Sequence, residues 1–205
     1  MLQLIAISEI LFDQIDGKSI LGGAPLNLAL TAHQLLQRFG GNCIPVSRVG
    51  SDDLGNTVLQ ELKSRNVCAD YIQVDPDRPT GTAVVTRTAT DHSFTITEHV
   101  AWDFLGESQA AIDLAGEASA ICFGTLGQRS SVSHATIDRF LTNASKAAKL
   151  FDVNLRQHFY TPEILQKGLN HANILKLNEE ELPTLAESLG FSVNHELHSS
   201  LQTLI

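Results

Sequence analysis

The amino-acid sequence predicts an α/β fold, a mostly parallel sheet covered by helices on both faces with a small β element added to it. Short apolar or β-branched runs alternate with segments of helical period almost throughout the 205 residues, the pattern of successive βα units. Glycines and turn-forming residues punctuate the chain where one element gives way to the next. The alternation breaks once, between 69 and 100, where β-branched residues recur on a period of two.

Taken in order, Leu2–Ile7 reads as a short buried strand, followed by Glu9 and Asp13. Gly22 and Gly23 permit a positive φ or a close backbone approach to a ligand. Pro25 suits the first helical position, where its missing N–H would have lacked a partner anyway. Leu26, Ala29, Leu30, Leu36 and Phe39 carry the helix on, and Gly40-Gly41 closes it. Asn27 therefore falls in the first turn, where free N–H groups and the positive end of the helix dipole suit a polar ligand. A tight strand-to-helix connection with no ligand is the alternative. In an open α/β sheet, ligands collect beyond the carboxyl ends of strands, which is where Asp13 and the glycine loop meet.

Asn42–Val49 is a second strand ending at Gly50, and a helix runs through Leu59, Leu62 and Lys63. The aspartates of Gly50-Ser51-Asp52-Asp53-Leu54-Gly55 read as helix caps rather than a ligand loop. Tyr71–Val74 is a strand and Asp75–Pro79 a turn. Residues 80–88 and 94–100 pair as a hairpin around Thr90-Asp91-His92. Beyond it the sequence predicts a helix over Ser108–Ala118, a strand over Ser119–Gly124 and a long amphipathic helix over Ser130–Ala148. A strand over Leu150–Asn154, a short helix over Ile164–Gly168 and a strand over Ala172–Leu177 follow. Asn178 caps a further helix that Pro183 kinks or restarts, and His195–Leu204 is helix-like.

Composition excludes several classes. A net charge of −9 argues against a general nucleic-acid binder, which needs a basic face. Cys43, Cys68 and Cys122 are an odd number without paired spacing, and fit a reducing cytoplasm. The N-terminal apolar run lacks a basic flank and is too short for a signal peptide. No stretch approaches the about 20 apolar residues needed to cross a bilayer. Gly17-Lys18-Ser19 ends like a phosphate-binding loop, but Phe12 stands where its first glycine belongs. His195-Glu196-Leu197-His198 has the wrong spacing for a zinc site, and no nucleophile elbow occurs.

Ser8–Ile15 (SEILFDQI) and Leu21–Leu30 (LGGAPLNLAL) together resemble the N-terminal signature of the ribokinase-like (PfkB) carbohydrate kinases, fructokinases in particular. The pieces GSDDLG, AWDFLG, DVNLR and KLNEEE follow in the order that family has them. The resemblance implies a three-layer ribokinase-like domain over 1–205, incomplete at its C-terminus, with lid strands from about 12–20 and 80–100. It implies that Asp13 and Asn27 bind sugar hydroxyls, that Gly22 and Gly23 let the backbone approach the sugar, and that Arg156 orients it. It places Lys176, Asn178 and Glu181 on the ATP side, with Glu181 towards Mg2+. The same Asn178 and Glu181 also read as a capping box, and both readings can hold together. A homodimer through the lid is implied as well.

The resemblance further implies a G-A-G-D motif, an anion hole with a base aspartate, in the C-terminal third of such kinases. It is absent here, so the catalytic base is expected beyond Ile205 and the chain alone is expected to be inactive. The implied function is ATP-dependent phosphoryl transfer to a sugar hydroxyl, with the GGAP form leaning towards fructose. Other sugars, keto-deoxy acids and nucleosides stay open. The alternative is a non-catalytic sugar-binding or dimerising fragment.

Overall fold

A computed structural model describes the backbone of residues 1–87 and 92–190, and the side chains of these except 85–87 and 92–94. Among the described residues, ten strands and six α-helices follow one another as β1 (Gln3–Ile7), β2 (Leu11–Ile15), β3 (Lys18–Gly22), α1 (Ala24–Leu36), β4 (Asn42–Gly50), α2 (Asp53–Ser64), β5 (Ile72–Asp75), β6 (Gly81–Arg87), β7 (His92–Ile96), α3 (Gln109–Glu117), β8 (Ala120–Gly124), α4 (Ser131–Asn143), β9 (Ala148–Asp152), α5 (Pro162–His171), β10 (Ile174–Lys176) and α6 (Glu181–Ser188). The hairpin turn expected at Thr90-Asp91-His92 falls largely outside the described residues, as does the helix expected over His195–Leu204.

The main sheet has the order β10-β9-β8-β1-β4-β5, and every neighbouring pair in it is parallel. The chain first moves outward from β1 to β4 and β5, then returns to β8 on the other side. That reversal makes the carboxyl end of β1 the switch point, where such sheets open a crevice. Side chains alternate across β1. Ile5 and Ile7 join the core with Leu114, Ile137 and Phe140 of α3 and α4, whereas Ala6 packs on Ala29 of α1 and on Cys43. Phe123 and Phe151 stack at 5.0 Å between centroids inside the first of these cores.

The second sheet, order β3-β2-β6-β7, forms the lid. β2 runs antiparallel to β3 and parallel to β6, with Asp13 opposite Ala83. Asp52 caps α2 as expected, its side chain accepting from Gly55 N–H at 2.8 Å. It also accepts from the Thr80 N–H at 2.8 Å and the Thr80 hydroxyl at 2.6 Å, so the cap ties α2 to the start of the lid.

Several boundaries differ from expectation: β9 lies two residues earlier than predicted, α5 is longer and β10 shorter, and the end of α4 moves most. The helix predicted over Ser130–Ala148 ends at Asn143, and Ala148 already begins β9. Ala144 leaves the helical region with ψ 56. Ala144 and Ala147 are buried in the main core, and Ala148 donates its N–H to Ser119 O at 3.0 Å. Core burial and strand pairing here override good local helix propensity.

Candidate functional site

The glycine loop forms because two backbone demands meet. Gly23 sits at φ 100, ψ 122, which a side chain disfavours, and a Cβ there would lie 2.9 Å from the Glu9 carbonyl. Pro25 then opens α1 without losing a hydrogen bond, and Asn27 donates its N–H to Gly23 O at 3.0 Å. Gly22 meets a different constraint, since a Cβ there would lie 2.9 Å from Asp13 Oδ2 across the β2–β3 pair.

A cleft of about 540 Å3 opens at the switch point. Asp13 of β2 and Asn27 of α1 both line it, with Gly23 between them. The loop after β9, including Asn154 and Arg156, lines it as well, and Leu126 and Ile96 add apolar surface. Asn154 holds φ 39, an uncommon conformation that asparagine tolerates better than most residues. Four of the five residues expected on the sugar side therefore converge. Gly22 is the exception: it does not line the cleft, and it makes room for the Asp13 carboxylate instead.

The charges are unevenly solvated. Burial pushes the Asp13 carboxyl up from its ordinary 3.8, against the pull of the Arg156 guanidinium. Burial also pushes up Glu9, 3% exposed; the Ser8 hydroxyl and Arg156 oppose this, and the Asp152 carboxylate adds to it. Glu9 lines both the cleft and a smaller cavity beside it, which Asp152 and Cys122 also line. Arg156 is exposed, and its recorded hydrogen bond is a long one of 3.5 Å to Leu155 O. Among the described residues no ion pair consumes its planar fork, and Arg156 lines the cleft. An acceptor carboxylate, an amide that donates and accepts, and a guanidinium that only donates match the alternating needs of adjacent hydroxyls.

Lys176, Asn178 and Glu181 form a second group, one strand further along the sheet. Lys176 Nζ contacts Asp152 Oδ1 at 2.8 Å, its register partner across β9 and β10. Asn178 Oδ1 accepts from Glu181 N–H at 2.8 Å, and Glu181 Oε2 accepts from Asn178 N–H at 2.9 Å, a reciprocal capping box. Asn178 thus precedes α6 rather than sharing a helical face with Glu181. Glu181 Oε1 accepts from Leu155 N–H at 3.0 Å, which anchors the cleft loop to α6. The buried Glu181 carboxylate is therefore committed to two main-chain donors. Among the described residues, no three His, Cys, Asp or Glu side chains converge to hold a metal ion.

Sequence reasoning named Glu9 and Asn154 but gave neither a role. A carboxyl directly after an apolar strand was the signal for Glu9. Leu126 and Ile96 carried none, since their place depends on how the lid meets the main sheet. The three cysteines are free, and burial pushes the thiols of Cys43 and Cys122 up to about 12. Among the described residues, no helix is long and apolar enough to cross a membrane.

Comparison with known proteins extends this picture. A family profile described as pfkB family carbohydrate kinase matches residues 2–204. A sugar kinase of Pyrococcus horikoshii is 27% identical over 187 residues, covering 88% of this chain and 59% of that protein. The fructokinase of Vibrio alginolyticus is 27% identical over 178 residues, 83% of this chain and 57% of the other. The chain thus spans somewhat under 60% of the length of these relatives. Among solved structures, fructokinase with bound ATP from Xylella fastidiosa superposes with a TM-score of 0.78 at 23% identity. That match covers 98% of this chain and 64% of the other, and at this identity the likeness is one of fold.

Proposed function

The chain belongs to the pfkB family of carbohydrate kinases, and from that premise we propose that its cleft holds a sugar, fructose before others. The whole protein then moves the γ-phosphoryl group of ATP to a sugar hydroxyl. The observation that carries this reading is the convergence of Asp13 and Asn27 over the bare backbone of Gly23, with Arg156 in the same cleft.

In this reading Asp13 accepts from one or two sugar hydroxyls and Asn27 exchanges donor and acceptor roles with a neighbour. Arg156 orients the sugar, and Leu126 and Ile96 exclude water from its apolar face. Gly22 serves indirectly, by leaving space for the Asp13 carboxylate. Such positioning, together with electrostatics, supplies most of the catalysis in phosphoryl transfer.

The nucleotide side is less complete within 205 residues. Lys176 supplies a cation there, paired with Asp152, and Glu181 acts by holding the cleft loop. The residues described do not fit a direct magnesium site, because the Glu181 carboxylate is already shared by two N–H donors. The 205 residues carry no G-A-G-D motif, so in this reading they bind sugar without turnover. Val84, exposed on the lid face away from Asp13, supports a homodimer through that sheet. Three free cysteines suit a cytoplasmic setting.

Isothermal titration against fructose, glucose, ribose and 2-keto-3-deoxygluconate, without nucleotide, tests the reading. One sugar should bind, and Asp13→Ala should abolish it. Silence across the panel overturns the proposal. Binding together with sugar-dependent ATP consumption by the 205-residue chain would overturn only the inactivity.

A further inference from the structure

We propose that Arg129, stacked on Trp102, is the hinge plate of the lid, a positioning residue that sets how the lid wall faces the rest of the cleft. Of the four strands through which the lid connects to the main body, β6 and β7 both land on this unit. At the start of β6, a Cβ on Gly81 would collide with the Trp102 indole nitrogen, so the strand rests directly on the ring. Just past β7, Thr97 O accepts from Arg129 Nη2 at 2.6 Å. The lid ladder closes over the same place, where Thr97 donates its N–H to Thr82 O at 2.9 Å.

The plate itself is firmly held. Arg129 grips Asp103 through two hydrogen bonds, Nε to Oδ1 at 2.7 Å and Nη2 to Oδ2 at 2.8 Å, and each side chain is 5% exposed. Its guanidinium lies 4.0 Å from the Trp102 ring centroid and 4.5 Å from that of Phe159. Asp103 Oδ2 also accepts from Val100 N–H at 3.1 Å, which secures the return from the lid. Leu11, Ile96 and Leu126 pack in the same apolar cluster as Trp102 and Phe159, and all three line the cleft.

Stability alone is a weak reason for this arrangement. A buried ion pair gives little net stability against an apolar replacement of equal volume. Among the described residues, Arg129 Nη1 and Trp102 Nε1 are in addition buried without a hydrogen-bond partner. What the guanidinium supplies, and an apolar residue or a lysine would not, is a flat fork that binds Asp103 and Thr97 O at once while stacking on two rings.

The proposal rests on the sugar reading for its second measurement only. The first follows hydrogen exchange, by mass spectrometry, in the unliganded 205-residue chain and in Arg129→Lys. Exchange should quicken about tenfold at residues 81–84 and 95–97, with that of β1 and β8 unchanged, as expected when one charged hydrogen-bond set is lost. The second follows affinity for whichever sugar the panel identifies, which should weaken about tenfold although Arg129 lines no part of the cleft. Uniformly faster exchange, or unchanged exchange and affinity, overturns the hinge. Local quickening in a chain that binds no sugar upholds the hinge and removes the sugar reading. Should Arg129→Lys fail to fold, Phe159→Leu, which removes one stacking face and leaves the ion pair, is read by the same criteria.

Discussion

Gly22 and Asp13 stand so close across the β2–β3 hairpin that a single added carbon on the glycine would lie 2.9 Å from Asp13 Oδ2. The residue that looks like part of a ligand loop in the sequence is thus the residue that lets the cleft carboxylate take its place.

Gly22→Ala should therefore weaken sugar binding more than folding. The backbone there is ordinary strand, so the displaced group is the movable end of Asp13. Loss of a charge-assisted hydrogen bond of about 1.5 kcal/mol predicts a roughly tenfold weaker affinity with a melting temperature near that of the parent. Calorimetric titration beside a thermal melt checks both halves.

Gly23→Ala should lower stability as well as binding. Its φ of 100 and the Glu9 carbonyl 2.9 Å from the added Cβ make the change a backbone problem. Strain of this kind costs about 1–3 kcal/mol, and urea unfolding should show a lower midpoint with an unchanged slope.

Glu9 should make the protein less stable as pH rises. Its folded carboxyl titrates above the ordinary 4.5, so between these values the native state holds a proton that the unfolded chain has released. Stability then falls with pH across that window, by at most about 1.4 kcal/mol per pH unit. Glu9→Gln should flatten this slope in urea titrations at pH 5, 6.5 and 8. An unaltered slope would show that Glu9 does not cause it.

Asp52 carries the reverse sign. Burial pushes its carboxyl up, but the hydrogen bonds from Thr80 and Gly55 outweigh that and hold it below 3.8. Its contribution is present above 3.8 and lost as pH falls through the lower folded value. Asp52→Ala should cost about 1–3 kcal/mol at pH 7 through loss of the cap and of the Thr80 partner, and less near pH 3. Urea unfolding of both proteins at the two pH values measures it.

These residues also mark where sequence reading succeeds and where it stops. The start of α1 was legible because Gly-Gly-Ala-Pro carries its own backbone chemistry, and the Asp52 cap because capping is local. The end of α4 was not, since no glycine or proline marks it and the decision is made by burial of Ala144 and Ala147. Asn178 and Glu181 were legible as a pair, whereas the bond from Leu155 to Glu181 joins elements 26 residues apart. Arg129 gave no signal at all. Its partners Thr97, Asp103 and Phe159 come from three separate segments that only the folded lid brings together.

The central position of β1 bears on how the chain is made. β1 is made before both of its neighbours, β4 on one side and β8 on the other, and pairs Leu4 with both Cys43 and Ala120. One flank can close early, but the second stays open until residues 120–124 have emerged, which at typical translation speeds of about 5–20 residues per second is several seconds later. During that interval Ile5 and Ile7 are sheltered only by whatever binds nascent chains. Shortage of a holding chaperone should therefore lower the yield of this protein before it alters any property of the finished fold.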